Sequence, residues 1–157
     1  MSDHRIVGIT LDDKTVVRRS PEVEHELNVA IYDIIERNQF KPAGGFRGPY
    51  RIHLSIEDRS RLVFAVADDD GGTQGRAVLA LLPFRRIVRD YFKICESYYD
   101  AIKRLSPSQI ETIDMARRSI HDEGSSILVE RLHGKIEVDE ETARRLFTLI
   151  CVLHIRA

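Results

Sequence analysis

The chain has 157 residues, with 24 basic and 25 acidic side chains and 43% hydrophobic residues. That length suits one domain, 1–157, with a real core, and that hydrophobic share excludes a disordered chain. The near-zero net charge excludes an overall basic nucleic-acid binder and a solvating acidic chain, while leaving room for a local basic patch.

Reading from the N-terminus, MSDHRIVGITLDD has no basic region followed by a long apolar segment, so no signal peptide and no lipidation motif are expected. RIVGITL and TVVRR flank the turn-like Asp12, Asp13 and Lys14, which predicts an N-terminal hairpin. Ser20 then caps a helix with Pro21 in its first position. Val23, Leu27, Ala30, Ile31 and Ile34 share one face of it. The glycines and prolines of KPAGGFRGPY rule out regular structure there.

A strand of clean period two follows. Ile52, Leu54 and Ile56 point one way, and Arg51, His53, Ser55 and Glu57 the other. DRS makes a turn. RLVFAVA is apolar on both faces, as an interior strand would be, and so is RAVLALL beyond the loop DDDGGTQG. These segments read as an antiparallel meander of about three strands. Val63, Ala65, Leu79 and Leu81 make its second face too apolar for water. A further helix or a second copy of the chain is expected to cover it, hence an expected homodimer.

From Pro83 the pattern is helical, with Phe84, Ile87, Tyr91, Ile94, Cys95, Tyr98, Ile102 and Leu105 in one stripe. Ser106, Pro107 and Gln109 form a capping-box start for the next helix. Its inner face carries Ile110, Ile113, Ile120, Ile127 and Leu128, with Arg117 and Gly124 on the same side. A glycine in a helix interior costs roughly 1 kcal/mol against alanine, so close packing is expected at Gly124. Asp139 caps the last segment. RLFTLICVLHI is apolar nearly all round, which fits a central buried helix or, through its β-branched content, a strand. The fold class is therefore α+β: an antiparallel sheet, the meander plus the N-terminal hairpin, covered by about four helices.

No apolar run reaches the roughly 18 residues of a membrane helix. Cys95 and Cys151 both fall in apolar helical contexts and read as buried thiols of a reducing cytoplasm.

GPYRIHLSIED, LPFRRIVRDYFKICESYYDAI and GKIEVDEETARRLFTLICVLHIR resemble a family of small uncharacterised bacterial proteins, over nearly the whole chain. The resemblance implies a single cytoplasmic domain. It transfers no activity and no catalytic residue.

Most candidate motifs have plain structural explanations. HDEGSS holds His121, Asp122, Glu123, Ser125 and Ser126, the residue types of a hydrolase, but adjacent helical positions do not face each other and no glycine elbow is present. The expected reading is a charged outer face with Asp122 reaching back to Arg118. Glu22 with His25, and Glu130 with His133, have metal-ligand spacing, yet His25 falls on an outer face and His133 beside a helix-ending glycine. DDDGGTQG lacks the acidic twelfth residue of a calcium loop, that place being Leu79. GGFRGPY lacks the Lys-Ser or Lys-Thr ending of a P-loop. His53 reads as part of an exposed sheet face, and His154 as a satisfied core histidine.

The feature left over is electrostatic. The helix after Pro83 opens on Leu82, which cannot cap, and on Arg85, Arg86 and Arg89, cations at a pole that is already positive. Free N–H groups plus guanidinium groups suit an anion. The Gly44, Gly45 and Gly48 loop, with Lys41 and Arg47, is expected to approach them, unless acids such as Asp68 to Asp70 occupy the arginines instead. The expected binding residues are Arg85, Arg86, Arg89 and Arg47. The function expected from them is an interaction or regulatory module for an acidic protein partner or small anion, not an enzyme. The alternatives are a small enzyme acting on a phosphorylated or carboxylated metabolite, and a weak nucleic-acid binder, nucleic acid being the poorest match of the three. No metal, cofactor or membrane association is expected.

Overall fold

In the computed structural model, which describes residues 3–12, 21–44, 47–68 and 72–154, the strands of the meander are in the order read from the sequence. They are β3 (Tyr50–Glu57), β4 (Arg61–Asp68) and β5 (Thr73–Ala80), paired antiparallel with β4 in the middle. The apolar faces align across the ladder: Ile52 opposite Val66, Leu54 opposite Phe64, Leu62 opposite Leu79. Each of these is 3% exposed or less, so the period-two alternation of β3 is set by burial of one face.

The N-terminal strand β1 (Ile6–Leu11) pairs with β3 in parallel. A parallel neighbour needs a crossover, and α1 (Pro21–Glu36) supplies it. The TVVRR half of the expected hairpin, and the expected cap Ser20, lie outside the described residues. The sheet is thus mostly antiparallel rather than wholly so. β1 is an edge strand, and Asn38 serves its edge: the side-chain amide accepts from the Ile6 N–H and donates to the Ile6 and Ile34 carbonyls. One residue thereby satisfies both a strand edge and the end of α1. Beyond it, β2 (Phe40–Pro42) pairs antiparallel with β6 (Ile136–Val138) as a separate ribbon.

After β5 the chain makes a 3-10 turn, Leu82–Phe84, then α2 (Arg85–Arg104), α3 (Pro107–Leu132) and α4 (Glu140–His154). Ser106 and Gln109 form the expected capping box. Asp139 caps α4, its carboxylate accepting from the Thr142 N–H. RLFTLICVLHI is helical, resolving the strand alternative. Ala143, Leu146, Phe147, Leu149, Ile150 and Cys151 are fully buried, because α4 is the central helix, packed against α1, α3 and β3. The side chain of His154 lies outside the described residues.

Gly124 lets α3 approach it closely. An added Cβ there would stand 2.4 Å from the Phe147 ring, so the expected close packing is present. Leu79 and Leu81 face the helices and are buried in the core. Only Val63 and Ala65, of the four residues expected to need a cover, lie on the outer sheet face, and Val63 is already just 2% exposed. Thr10 hydrogen-bonded to His53, and Arg76 paired with Glu57 at 2.6 Å, make much of that face polar. Among the described residues no helix is long and apolar enough to cross a membrane.

Candidate functional site

The basic turn is held by the protein itself at several points. The Phe84 and Arg85 N–H groups donate to the Leu81 and Leu82 carbonyls within the 3-10 turn. Arg86 lies between Asp90 at 3.1 Å and Glu123 at 2.5 Å. The Arg85 guanidinium donates to the Arg59 carbonyl. Arg89 is exposed and makes no ion pair with a described residue. Asp68 is engaged elsewhere, accepting from the Gly72 N–H; Asp69 and Asp70, like Gly45, lie outside the described residues.

Arg47 does not join this group. It precedes the start of β3, whereas α2 begins beside the β3–β4 turn, where the Leu81 N–H donates to Ser60. The eight residues of β3 separate them, a span of roughly 23 Å at strand rise. The glycine loop packs instead against the chain start: a Cβ on Gly48 would collide with the Asp3 carbonyl. The structure therefore brings Arg85, Arg86 and Arg89 together on α2 and leaves Arg47 and Lys41 at the far end of the sheet.

A different group of arginines converges. α1, α3 and α4 line an open cleft of about 320 Å³. Glu26, Val29, Ala30 and Asp33 line it from α1; Asp114, Arg117, Arg118 and His121 from α3; Glu141, Arg144, Arg145 and Thr148 from α4. Helical spacing accounts for each set, since positions three and four apart share a face. The side chains of Arg117, Arg144 and Arg145 are only 24–26% exposed. Arg117 pairs with Glu26 at 3.4 Å and lies 4.9 Å from the Tyr98 ring centroid, tying α1, α3 and α2 together. Arg144 pairs with Asp122. Arg118 pairs with Asp114 on its own helix, which corrects the expected contact between Asp122 and Arg118. Arg145 donates to the Arg37 carbonyl at 3.3 Å and lies 3.6 Å from Glu141.

His121 forms one edge of this cleft. Its ring stands edge-on to Tyr91 at 5.2 Å and to Phe147 at 5.8 Å. Burial between those rings, with the Arg117 and Arg144 guanidiniums adding to it, pushes its pKa down to about 4, so the imidazole is neutral near pH 7. Burial likewise holds the Tyr91 phenol far above its usual range. HDEGSS is consequently no hydrolase constellation: the Ser125 hydroxyl is buried and donates to the Asp122 carbonyl.

The volume beside the β2–β6 ribbon is larger, about 570 Å³, but Lys41, His133, Lys135 and Glu137 on its walls are all exposed. Their charges remain in water, where they are worth little. His25 is exposed on α1, as its spacing suggests, and among the described residues no group of three His, Cys, Asp or Glu side chains could hold a metal ion.

The family model for UPF0262, described as an uncharacterised protein family, matches residues 3–156. A UPF0262 protein of Rhizobium etli strain CIAT 652 is 58% identical over 154 residues, covering 98% of this chain and 97% of its own. One from Agrobacterium fabrum is 56% identical over the same shares. One from Erythrobacter litoralis is 53% identical over 160 residues, with 99% of both chains covered. No solved structure matches.

Proposed function

We propose, for a chain that belongs to the uncharacterised family UPF0262, a small interaction or regulatory module that binds an anionic ligand between α1, α3 and α4. The observation that carries this reading is the convergence of Arg117, Arg144 and Arg145, each about three-quarters buried, on one cleft. Charges withdrawn from water act on a ligand far more strongly than exposed ones, and guanidinium groups match carboxylate and phosphate oxygens in pairs. Arg145 is the residue best placed to change partner, since its two contacts are long for charge-assisted hydrogen bonds. Two buried free thiols, Cys95 and Cys151, support a reducing cytoplasm as the place where it acts.

Titration with inorganic phosphate and with acetate, followed at the backbone amides, tests the reading. Saturating shifts at residues 114–121 and 141–148 are expected at millimolar anion, weakened about tenfold in Arg145→Gln. Shifts confined to residues 84–89 would move the site to the basic turn of α2, where Arg85 and Arg89 remain without a carboxylate partner among the described residues. No shift in either region would end the proposal.

His121 favours a second reading, a small enzyme acting on a phosphorylated or carboxylated metabolite. A neutral imidazole beside anion-binding groups is able to accept a proton, as a base that the same burial keeps weak. Under that reading His121→Gln retains anion binding and loses turnover; a variant equally active on any turned-over compound removes it.

A further inference from the structure

We infer that the cleft takes a small zwitterion, with its carboxylate on Arg145 and Arg144 and its ammonium group on Asp33. This rests on the reading of the cleft as an anion site and adds the ligand's second charge. Asp33 lines the α1 wall, is half-buried, and makes no ion pair with a described residue. Across from it on α4, Arg145 holds only a carbonyl at 3.3 Å and a carboxylate at 3.6 Å. The carbonyl is that of Arg37, whose own N–H donates to the Asp33 carbonyl. Arg145 therefore reaches to within one helical turn of Asp33 without pairing with it.

Two opposite charges that line one cleft and do not meet have each lost part of their hydration, Arg145 against two long contacts and Asp33 against no ion-pair partner among the described residues. A purely anionic ligand would satisfy Arg145 and be repelled by Asp33. A ligand carrying both charges satisfies both. The lining as a whole points the same way, because Arg117, Arg118, Arg144 and Arg145 are matched in number by Glu26, Asp33, Asp114 and Glu141. About 320 Å³ is at the small end of ligand cavities, and Val29 and Ala30 are its apolar lining. That suits a short amino acid or betaine rather than a nucleotide or a peptide.

The test uses the full chain and amide shifts at residues 26–37 and 141–148. The probes are glycine, β-alanine, γ-aminobutyrate and glycine betaine, which vary the spacing and substitution of the cation, against acetate as the anion alone. At least one of the four is expected to bind ten times more tightly than acetate. In Asp33→Asn, an isosteric change, that advantage is expected to vanish, while acetate, no longer repelled by the Asp33 carboxylate, binds as well as before or more tightly. Acetate binding as well as or better than every member of the panel overturns the inference and leaves the anion site standing. A preference that survives in Asp33→Asn overturns the assignment of the cation. Silence with acetate, phosphate and all four compounds removes site and inference together.

Discussion

Gly124 and His121 occupy one packing feature, and each makes a separate prediction about it. A methyl group on Gly124 would meet the Phe147 ring at 2.4 Å, and that ring is fully buried and packed edge-on against Tyr91 and His121. Gly124→Ala gains roughly 1 kcal/mol of helix propensity but overpacks a tight core. A net loss of about 1–2 kcal/mol is expected, read as a lower denaturation midpoint with unchanged slope. His121 sets a pH dependence. Its folded pKa of about 4 lies below its ordinary 6.5, so the unfolded chain binds the extra proton between those values. Stability is then fully present above about pH 6.5 and is lost as pH falls towards 4, by on the order of 2–3 kcal/mol for a half-buried group. Denaturant titrations at pH 7 and pH 4.5 should show this decline in the parent and a smaller one in His121→Gln. The inward position of His121 was within reach of the sequence. It is four residues after Arg117 and three before Gly124, and the spacing that turns those two inward turns the histidine inward too. Reading the polar run HDEGSS as an outer face let residue type override period.

At the scale of elements, the legible features were those with local chemistry. Ser106 with Gln109, and Asp139, mark helix starts by hydrogen bonds to amides three residues away, and the alternation of Ile52, Leu54 and Ile56 marks a strand with one buried face. The parallel pairing of β1 with β3 depends on a crossover through α1, and no local residue records it. The β3–β4 turn shows the same limit at closer range. DRS is identifiable as a turn, yet Asp58 and Arg59 both adopt positive φ, 54° and 57°, which side chains with a Cβ take at a cost of about 1–2 kcal/mol each. Arg59→Gly converts this turn to the Asp-Gly pair that left-handed hairpin turns favour. Glycine's larger unfolded-state entropy offsets part of the gain, leaving an expected stabilisation of about 0.5–1 kcal/mol. A raised thermal midpoint would confirm it. A lowered one would mean that the Arg59 side chain contributes more than its backbone strain costs.

Across the whole molecule, the two arginine groups differ in how far the sequence displays them: one lies on a single turn of α2, the other is assembled from α3 and α4. Arg85, Arg86 and Arg89 are conspicuous because they are contiguous on one turn, but contiguity on an exposed turn also makes them easy to neutralise, and Asp90 and Glu123 do so for Arg86. Arg117, Arg144 and Arg145 come from helices separated by the β6 ribbon, and only the packing of α3 and α1 against α4 draws them together. The burial of α4 that creates this cleft also supplies a probe of global stability. Cys151 on α4 is fully buried and Cys95 on α2 is 6% exposed, and burial pushes both thiols above their ordinary pKa. Neither is then a competent nucleophile in the folded chain. Modification by a maleimide near pH 7 should require opening of the core, so both thiols should react together, at a rate that rises with denaturant in parallel with the equilibrium unfolding curve. If Cys95 reacts well ahead of Cys151, α2 detaches from α4 in a separate, lower-energy opening. Because Tyr91 and Phe147 hold His121 across that same boundary, a fast Cys95 should be accompanied by a His121 pKa measured closer to 6.5 than to 4. A slow, concerted reaction with the depressed pKa retained would place the cleft inside the most stable unit of the fold.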